Sequence, residues 1–345
     1  MPTATAEDKV YDGTTQAIGT ITLEGAKNNE KPSATATFNF ENATAGENKV
    51  VNATSITLAN TWKANYELSQ ASVTTTANIT KAQGTVTVEV SDWVYGNTPS
   101  VPVVESTTND AKNATYLYSG TTFGGEKYGP SSEAPTQAGT YTVTVTIPGN
   151  ENYEEVVVTK EVTVSKRTLV VSATANNKQY NGTVATTGNV VLTGATNSEV
   201  PTATGTFTFE NATAGENKTV NVTSIKLADE FTSNYELDKT TTTATADITK
   251  AVLTVTYAGE TITYGQKPNL NITVTGFVNS ETAETAAGYT APTLTYSNTK
   301  VGKYTLTPAG GKATNYSFTY VSGILEITSK SISSQDITIS LSKDE

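Results

Sequence analysis

Four aromatic side chains between positions 93 and 128, Trp93, Tyr116, Tyr118 and Tyr128, are the groups in this sequence best suited to stacking on a sugar ring or packing against a protein partner. Together with Phe123 they are read as a candidate binding patch for a host or matrix glycan or protein. Trp93 stands out because the second half of the chain has Ile262 at the corresponding position. An aromatic without a counterpart points to contact with something outside the repeated scaffold. Packing is the competing reading: Tyr116 and Tyr118, two residues apart, share one face of a strand, and tryptophan is mostly buried.

Bond-breaking chemistry has little to work with. The 345 residues contain no His and no Cys, which removes Ser-His-Asp and Cys-His nucleophiles, imidazole and thiolate metal ligands, and disulfides. The carboxylate pair Glu41 and Glu47 recurs as Glu210 and Glu216, a duplication that suits surface or turn roles better than glycoside hydrolysis. No Asp-rich calcium loop is present, so at most a weak calcium site at a module junction is expected, and no metal or cofactor is assigned. Lys9 with Asn78, matched by Lys178 with Asp247, are types that condense into a self-formed amide crosslink; ordinary exposure is the simpler reading. The chain is therefore expected not to be an enzyme.

The net charge is −11, which argues against nucleic acid and anionic membrane as partners, since phosphate binding needs clustered Lys and Arg. The opening MPTATAEDKV has no basic segment followed by an apolar run, so no signal peptide is read there. No stretch approaches the ~18 apolar residues of a membrane-spanning helix. The chain begins in mid-pattern, as a segment of a longer protein would. Sequons such as Asn42-Ala43-Thr44 are read as chance products of an Asn- and Thr-rich composition.

These residues are carried by a repeat. FENATAGENK occurs at 40–49 and again at 209–218, an offset of 169 that also relates Tyr11-Asp12-Gly13 to Tyr180-Asn181-Gly182, NYEL at 65–68 to 234–237, and ITKA at 79–82 to 248–251. A gap-free match of this extent is an internal duplication. The intervening segments match more loosely: VYGNTP at 94–99 with TYGQKP at 263–268, AGTY at 138–141 with VGKY at 301–304, Asn152-Tyr153 with Asn315-Tyr316. The order is A (1–82), B (83–166), A′ (167–251), B′ (252–330), with closing lysines at Lys81, Lys166, Lys250 and Lys330. Ile337, Ile339 and Leu341 alternate with polar neighbours and are read as the opening strand of a further module over 331–345.

Period-two alternation is the main local signal. Tyr141, Val143, Val145 and Ile147 alternate with threonines, which predicts half-buried strands separated by the Asp12-Gly13, Asn181-Gly182 and Gly310-Gly311 turns. At 280–287, SETAETAA, Ser280 is placed to cap one helical turn with Glu281 and Glu284 at its positive end. That turn would make the fourth unit slightly α+β. The fold expected is all-β: a tandem array of small Ig-like β-sandwich modules which, with linkers of a residue or two, forms an elongated rod.

KVYDGTT (9–15), KQYNGTV (178–184), AGENK, NYEL and the closing ITK resemble the YDG repeats of bacterial secreted and surface proteins. LTVTYAGETITYGQKP (253–268), VTGFVNSET (274–282), VGKYTLT (301–307) and NYSFTYVSGILEITSK (315–330) resemble an MBG-type repeat, of which B is a more divergent relative. The resemblance implies an extracellular or cell-surface location in an adhesin-like protein. Asn181 replaces the name-giving Asp, so that position serves a turn. The function expected is a non-catalytic stalk or spacer whose partners are the neighbouring modules; the alternative is that the modules themselves bind host or matrix glycan or protein.

Overall fold

The threonine-alternating stretches become strands whose small apolar side chains face inward. Gly139–Ile147 buries Tyr141, Val143, Val145 and Ile147 and leaves the intervening threonines partly or fully open to solvent. The structure, a computed structural model, describes residues 1–333. The strand expected around Ile337–Leu341 lies outside the described residues.

The chain divides into two compact units: residues 1–167 with 232–235, and residues 168–231 with those from 236 onward. Both are β-structure, and the helical segments among the described residues are the single 3-10 turns Ala111–Asn113 and Asp229–Phe231.

In A, Pro2–Ala6 pairs with Gly19–Leu23, and a second sheet runs in the order Lys9–Val10, Val73–Thr80, Gly46–Leu58, Ala34–Phe40. Phe38, Phe40, Val51, Ala53, Ala77 and Ile79 fill the space between the sheets and pack on Ala4, Ala6 and Ile21. The equivalents in A′ are Phe207, Phe209, Val220, Val222, Ala246 and Ile248, each 169 residues later. In the second unit this cluster continues without a break into Ala251, Leu253, Ala286, Ala313 and Tyr316. B is built on a five-stranded sheet, Lys127–Ser131, Thr115–Thr122, Gly139–Ile147, Val156–Ser165, Trp93–Val94, beside the pair Val86–Glu89 and Val103–Ser106. B′ uses shorter strands in three small sheets.

No helix forms at 280–287. Ser280 has φ 58°, left-handed backbone that a helix N-cap does not adopt. A single turn starts two residues later, where the Ala286 and Thr285 N–H groups donate to the Thr282 carbonyl at 2.9 and 3.2 Å and the Glu284 N–H donates to Thr282 Oγ1 at 3.3 Å. Gly288 ends it at φ 64°. Glu281 is thereby freed from capping and turned inward.

Candidate functional site: a repeated Asn-Tyr joint

Each module ends in the same way. A two- to four-residue strand runs parallel to the closing strand, with Lys9 opposite Ile79, Trp93 opposite Val164, Lys178 opposite Ile248 and Ile262 opposite Ile327. The tyrosine that follows donates its N–H to the closing strand: Tyr11 to Thr80 O (2.8 Å), Tyr95 to Ser165 O (2.9 Å), Tyr180 to Thr249 O (2.8 Å) and Tyr264 to Thr328 O (2.8 Å). The next glycine takes the chain away at positive φ: 77° at Gly13, 80° at Gly96, 77° at Gly182 and 90° at Gly265. A side chain is disfavoured in that conformation. This register aligns Ser329, and not Lys330, with Lys81, Lys166 and Lys250.

Against three of these tyrosines lies an Asn-Tyr pair. Tyr153 meets Tyr11 with ring centroids 5.4 Å apart and planes at 78°, Tyr235 meets Tyr95 at 5.3 Å and 82°, and Tyr316 meets Tyr180 at 5.5 Å and 80°. The second of these belongs to the first unit, which includes residues 232–235. The asparagine beside each ring closes two further bonds. Its carbonyl accepts from the residue after the closing lysine, Ala82 to Asn152 (3.0 Å), Arg167 to Asn234 (2.9 Å) and Ala251 to Asn315 (3.0 Å). Its Oδ1 accepts from an N–H preceding a glycine, Ala45, Ala138 or Ala214, at 3.0 Å in all three cases. In two joints the closing lysine adds a third bond, Lys166 Nζ to Thr232 O (2.5 Å) and Lys250 Nζ to Ala313 O (3.0 Å).

The duplicated decapeptide is one wall of this joint. In FENATAGENK the Asn42 side chain accepts from the Thr44 N–H and from Lys49 Nζ (3.3 and 2.6 Å), and Asn211 does the same with Thr213 and Lys218 (3.2 and 2.7 Å). Asn48 and Asn217, both at φ 50°, form the bulge that follows. The folded corner presents the Ala45 or Ala214 N–H outward to the asparagine. Both copies fold this corner in the same way and present the donor at the same distance, 3.0 Å.

The second unit adds a carboxylate. Tyr180 and Tyr316 donate their hydroxyls to Glu281 Oε1 and Oε2 at 2.6 and 2.5 Å, and the Val278 N–H donates to the Tyr316 oxygen at 3.2 Å. Burial, reinforced by that bond to Glu281, pushes the Tyr316 hydroxyl up to about 12. Tyr180 is raised for the same reasons. The Tyr-Asp-Gly turn is structural: Asp12 Oδ1 accepts from the Thr14 N–H and hydroxyl (2.9 and 2.8 Å), and Asn181 repeats both bonds with Thr183 (3.1 and 2.9 Å).

The four expected binding aromatics do not form an exposed patch. Trp93 is 7% exposed and Tyr118 3%, both inside the B core with Val143, Val145 and Val164. Tyr116 and Tyr128 are half-buried against that core, and the Tyr128 hydroxyl donates to Glu133 O (2.9 Å). Trp93 lacks an aromatic counterpart because the B and B′ cores differ, B packing around Trp93 and Tyr118, B′ around Tyr257 and Leu325. Phe123, 47% exposed, lies under Lys166 Nζ at 5.5 Å.

The crosslink pairs are not facing. Lys9 Nζ points into the turn, donating to Thr14 O and Gln16 O (3.1 and 3.0 Å), and Lys178 does the same with Thr183 O and Ala185 O (2.8 and 2.9 Å). Asn78 and Asp247 face the other way, accepting from the Asn48 and Asn217 N–H groups. Parallel strand pairing sets Lys9 opposite Ile79, and alternation sends the neighbouring side chains to opposite faces.

An all-β chain in which small modules repeat one corner, one turn and one Asn-Tyr pair is a tandem-repeat β protein. The model of the YDG domain matches residues 1–76 and 165–245, and that of the MBG domain (YGX type) matches residues 253–326. The chain thus carries two YDG domains and an MBG domain. No curated protein matches it.

Proposed function

We propose that the chain is a non-catalytic spacer segment of a bacterial cell-surface or secreted adhesin-like protein. The observation that carries this reading is the threefold recurrence of the Asn-Tyr joint with the same partners and nearly the same distances. Two backbone donors and an aromatic edge spent at each module end contribute on the order of 2–4 kcal/mol, more than a freely swinging linker requires. A joint so built converts added modules into reach. Small-angle scattering tests it: the spacer reading predicts a radius of gyration of about 40 Å or more, while a value near 20 Å, that of a compact 345-residue globule, overturns it.

A second reading, adhesion by the modules themselves, draws support from a groove present in both YDG copies. It runs between residues 14–21 and 34–39 in A (about 770 Å³) and between 186–192 and 200–207 in A′ (about 620 Å³), floored by Phe38 or Phe207. Glycan-array binding that disappears with substitutions on this groove would favour adhesion over spacing.

A further inference from the structure

Module B′ carries the same socket as the other three, with its tyrosine exposed. Tyr264 is 52% exposed, against 2% for Tyr95 and 5% for Tyr180. Its position is fixed by the bond to Thr328 O and by the Gly265 turn. The donor corner is also built. Tyr304 donates its hydroxyl to Lys300 O at 2.8 Å, as Tyr141 donates to Gln137 O at 2.7 Å, and each bond braces the loop that ends in Val301-Gly302 or Ala138-Gly139. A second aromatic supports each brace: Tyr296 lies 5.3 Å from Tyr304, and Tyr128 lies 5.7 Å from Tyr141. Val301 is exposed, where Ala138 is fully buried beside Asn234. Between Tyr264 and Tyr296 lies a cleft of about 350 Å³ lined also by Pro268, Leu270 and Ile327.

We infer that this end of B′ is a docking site for the Asn-Tyr turn of a further module of the same kind, joined to the chain after Lys330. The ring of the incoming tyrosine lies edge-on against Tyr264, the asparagine Oδ1 accepts from the Val301 N–H, and the asparagine carbonyl accepts from the Lys330 N–H. Three occupied sockets of the same construction identify the occupant. In each, the asparagine comes from the module on the C-terminal side of the junction: Ala82 with Asn152, Arg167 with Asn234, Ala251 with Asn315. Residues 331–345, SISSQDITISLSKDE, contain neither Asn nor Tyr, so they do not supply the turn themselves. One contact changes: Ser329 stands where Lys166 and Lys250 donate, so this joint lacks the lysine bond.

The site is a docking surface whatever the reach of the whole molecule, and its test is separate from scattering. A chain in which residues 1–330 are continued directly by a second copy of residues 168–345 places an A′-type module after Lys330. Hydrogen exchange of the Val301 amide is compared in this chain and in the parent. Docking predicts exchange slowed about tenfold or more in the extended chain. That protection is lost on Tyr264→Ala and on Asn234→Ala in the appended copy, while the Ala45 amide stays protected throughout. Equal Val301 exchange in the extended and parent chains overturns the inference. Protection that appears in the parent and rises with its concentration also overturns it, by assigning the socket to a second copy.

Discussion

Tyr180 and Tyr316, 136 residues apart in sequence, meet edge-on and share one carboxylate, with their hydroxyls 2.6 and 2.5 Å from the two oxygens of Glu281. Neither hydroxyl can ionise beside that carboxylate without placing a second negative charge in a buried site. The folded state therefore holds the Tyr316 proton more tightly than the unfolded chain, whose tyrosines have the ordinary value of 10.0. Its contribution to stability is complete below about pH 10 and is lost as pH rises toward about 12. Denaturation midpoints measured from pH 9 to 12 should fall in this window, and Tyr316→Phe should flatten the fall.

Asn315→Ala removes the acceptor of the Ala214 N–H and leaves that half-buried donor unpaired in the joint. The expected loss is about 1–3 kcal/mol in equilibrium unfolding. Asn152→Ala, at the equivalent bond to Ala45, should cost a similar amount. Asn65→Ala, which removes a side chain exposed in module A, should be close to neutral.

Asp12 offers a titration with a known sign. The hydrogen bond from Lys9, with those from Thr14, holds its carboxyl at about 2 against an ordinary 3.8. The stabilisation is present above pH 3.8 and disappears as pH falls through about 2. Carboxyl-detected NMR should report a titration near 2. Asp12→Asn should keep the turn, because Asn181 already forms it in the second copy; a disordered 9–15 loop in that variant would contradict the turn reading.

The chain contains two tryptophans, so Trp62→Phe leaves Trp93 as the sole indole emitter. Its place in the B core predicts blue-shifted fluorescence that acrylamide quenches weakly, with a red shift on unfolding. Emission near that of free indole would return Trp93 to the surface.

Much of the scaffold was legible because its causes are local. Threonine alternation gives the strands, the offset of 169 gives the duplicate cores of Phe38/Phe207 and Val51/Val220, and the Asp12-to-Asn181 exchange shows a turn without chemistry. The joint was hidden for a physical reason. Its donors are backbone N–H groups of Ala45, Ala138 and Ala214, which leave no mark in side-chain type, and they lie 107, 96 and 101 residues from their acceptors. A signal did exist: Asn-Tyr occurs once in each module, at 65, 152, 234 and 315, more regularly than the core residues of B and B′ do. Trp93 misled because lack of an aromatic counterpart reflects a different core in B as readily as an outward contact. Ser280 misled because a capping residue type says nothing of its own φ.

Hydrogen exchange on the parent chain and its three single-asparagine variants tests the shared joint most directly. Protection of the Ala45, Ala138 and Ala214 amides should be comparable, with each lost on Asn152→Ala, Asn234→Ala or Asn315→Ala respectively, while the Val301 amide exchanges fast. Four equal rates, or protection at Ala45, Ala138 and Ala214 that survives loss of the asparagines, would contradict the claim that one lock is repeated along the chain.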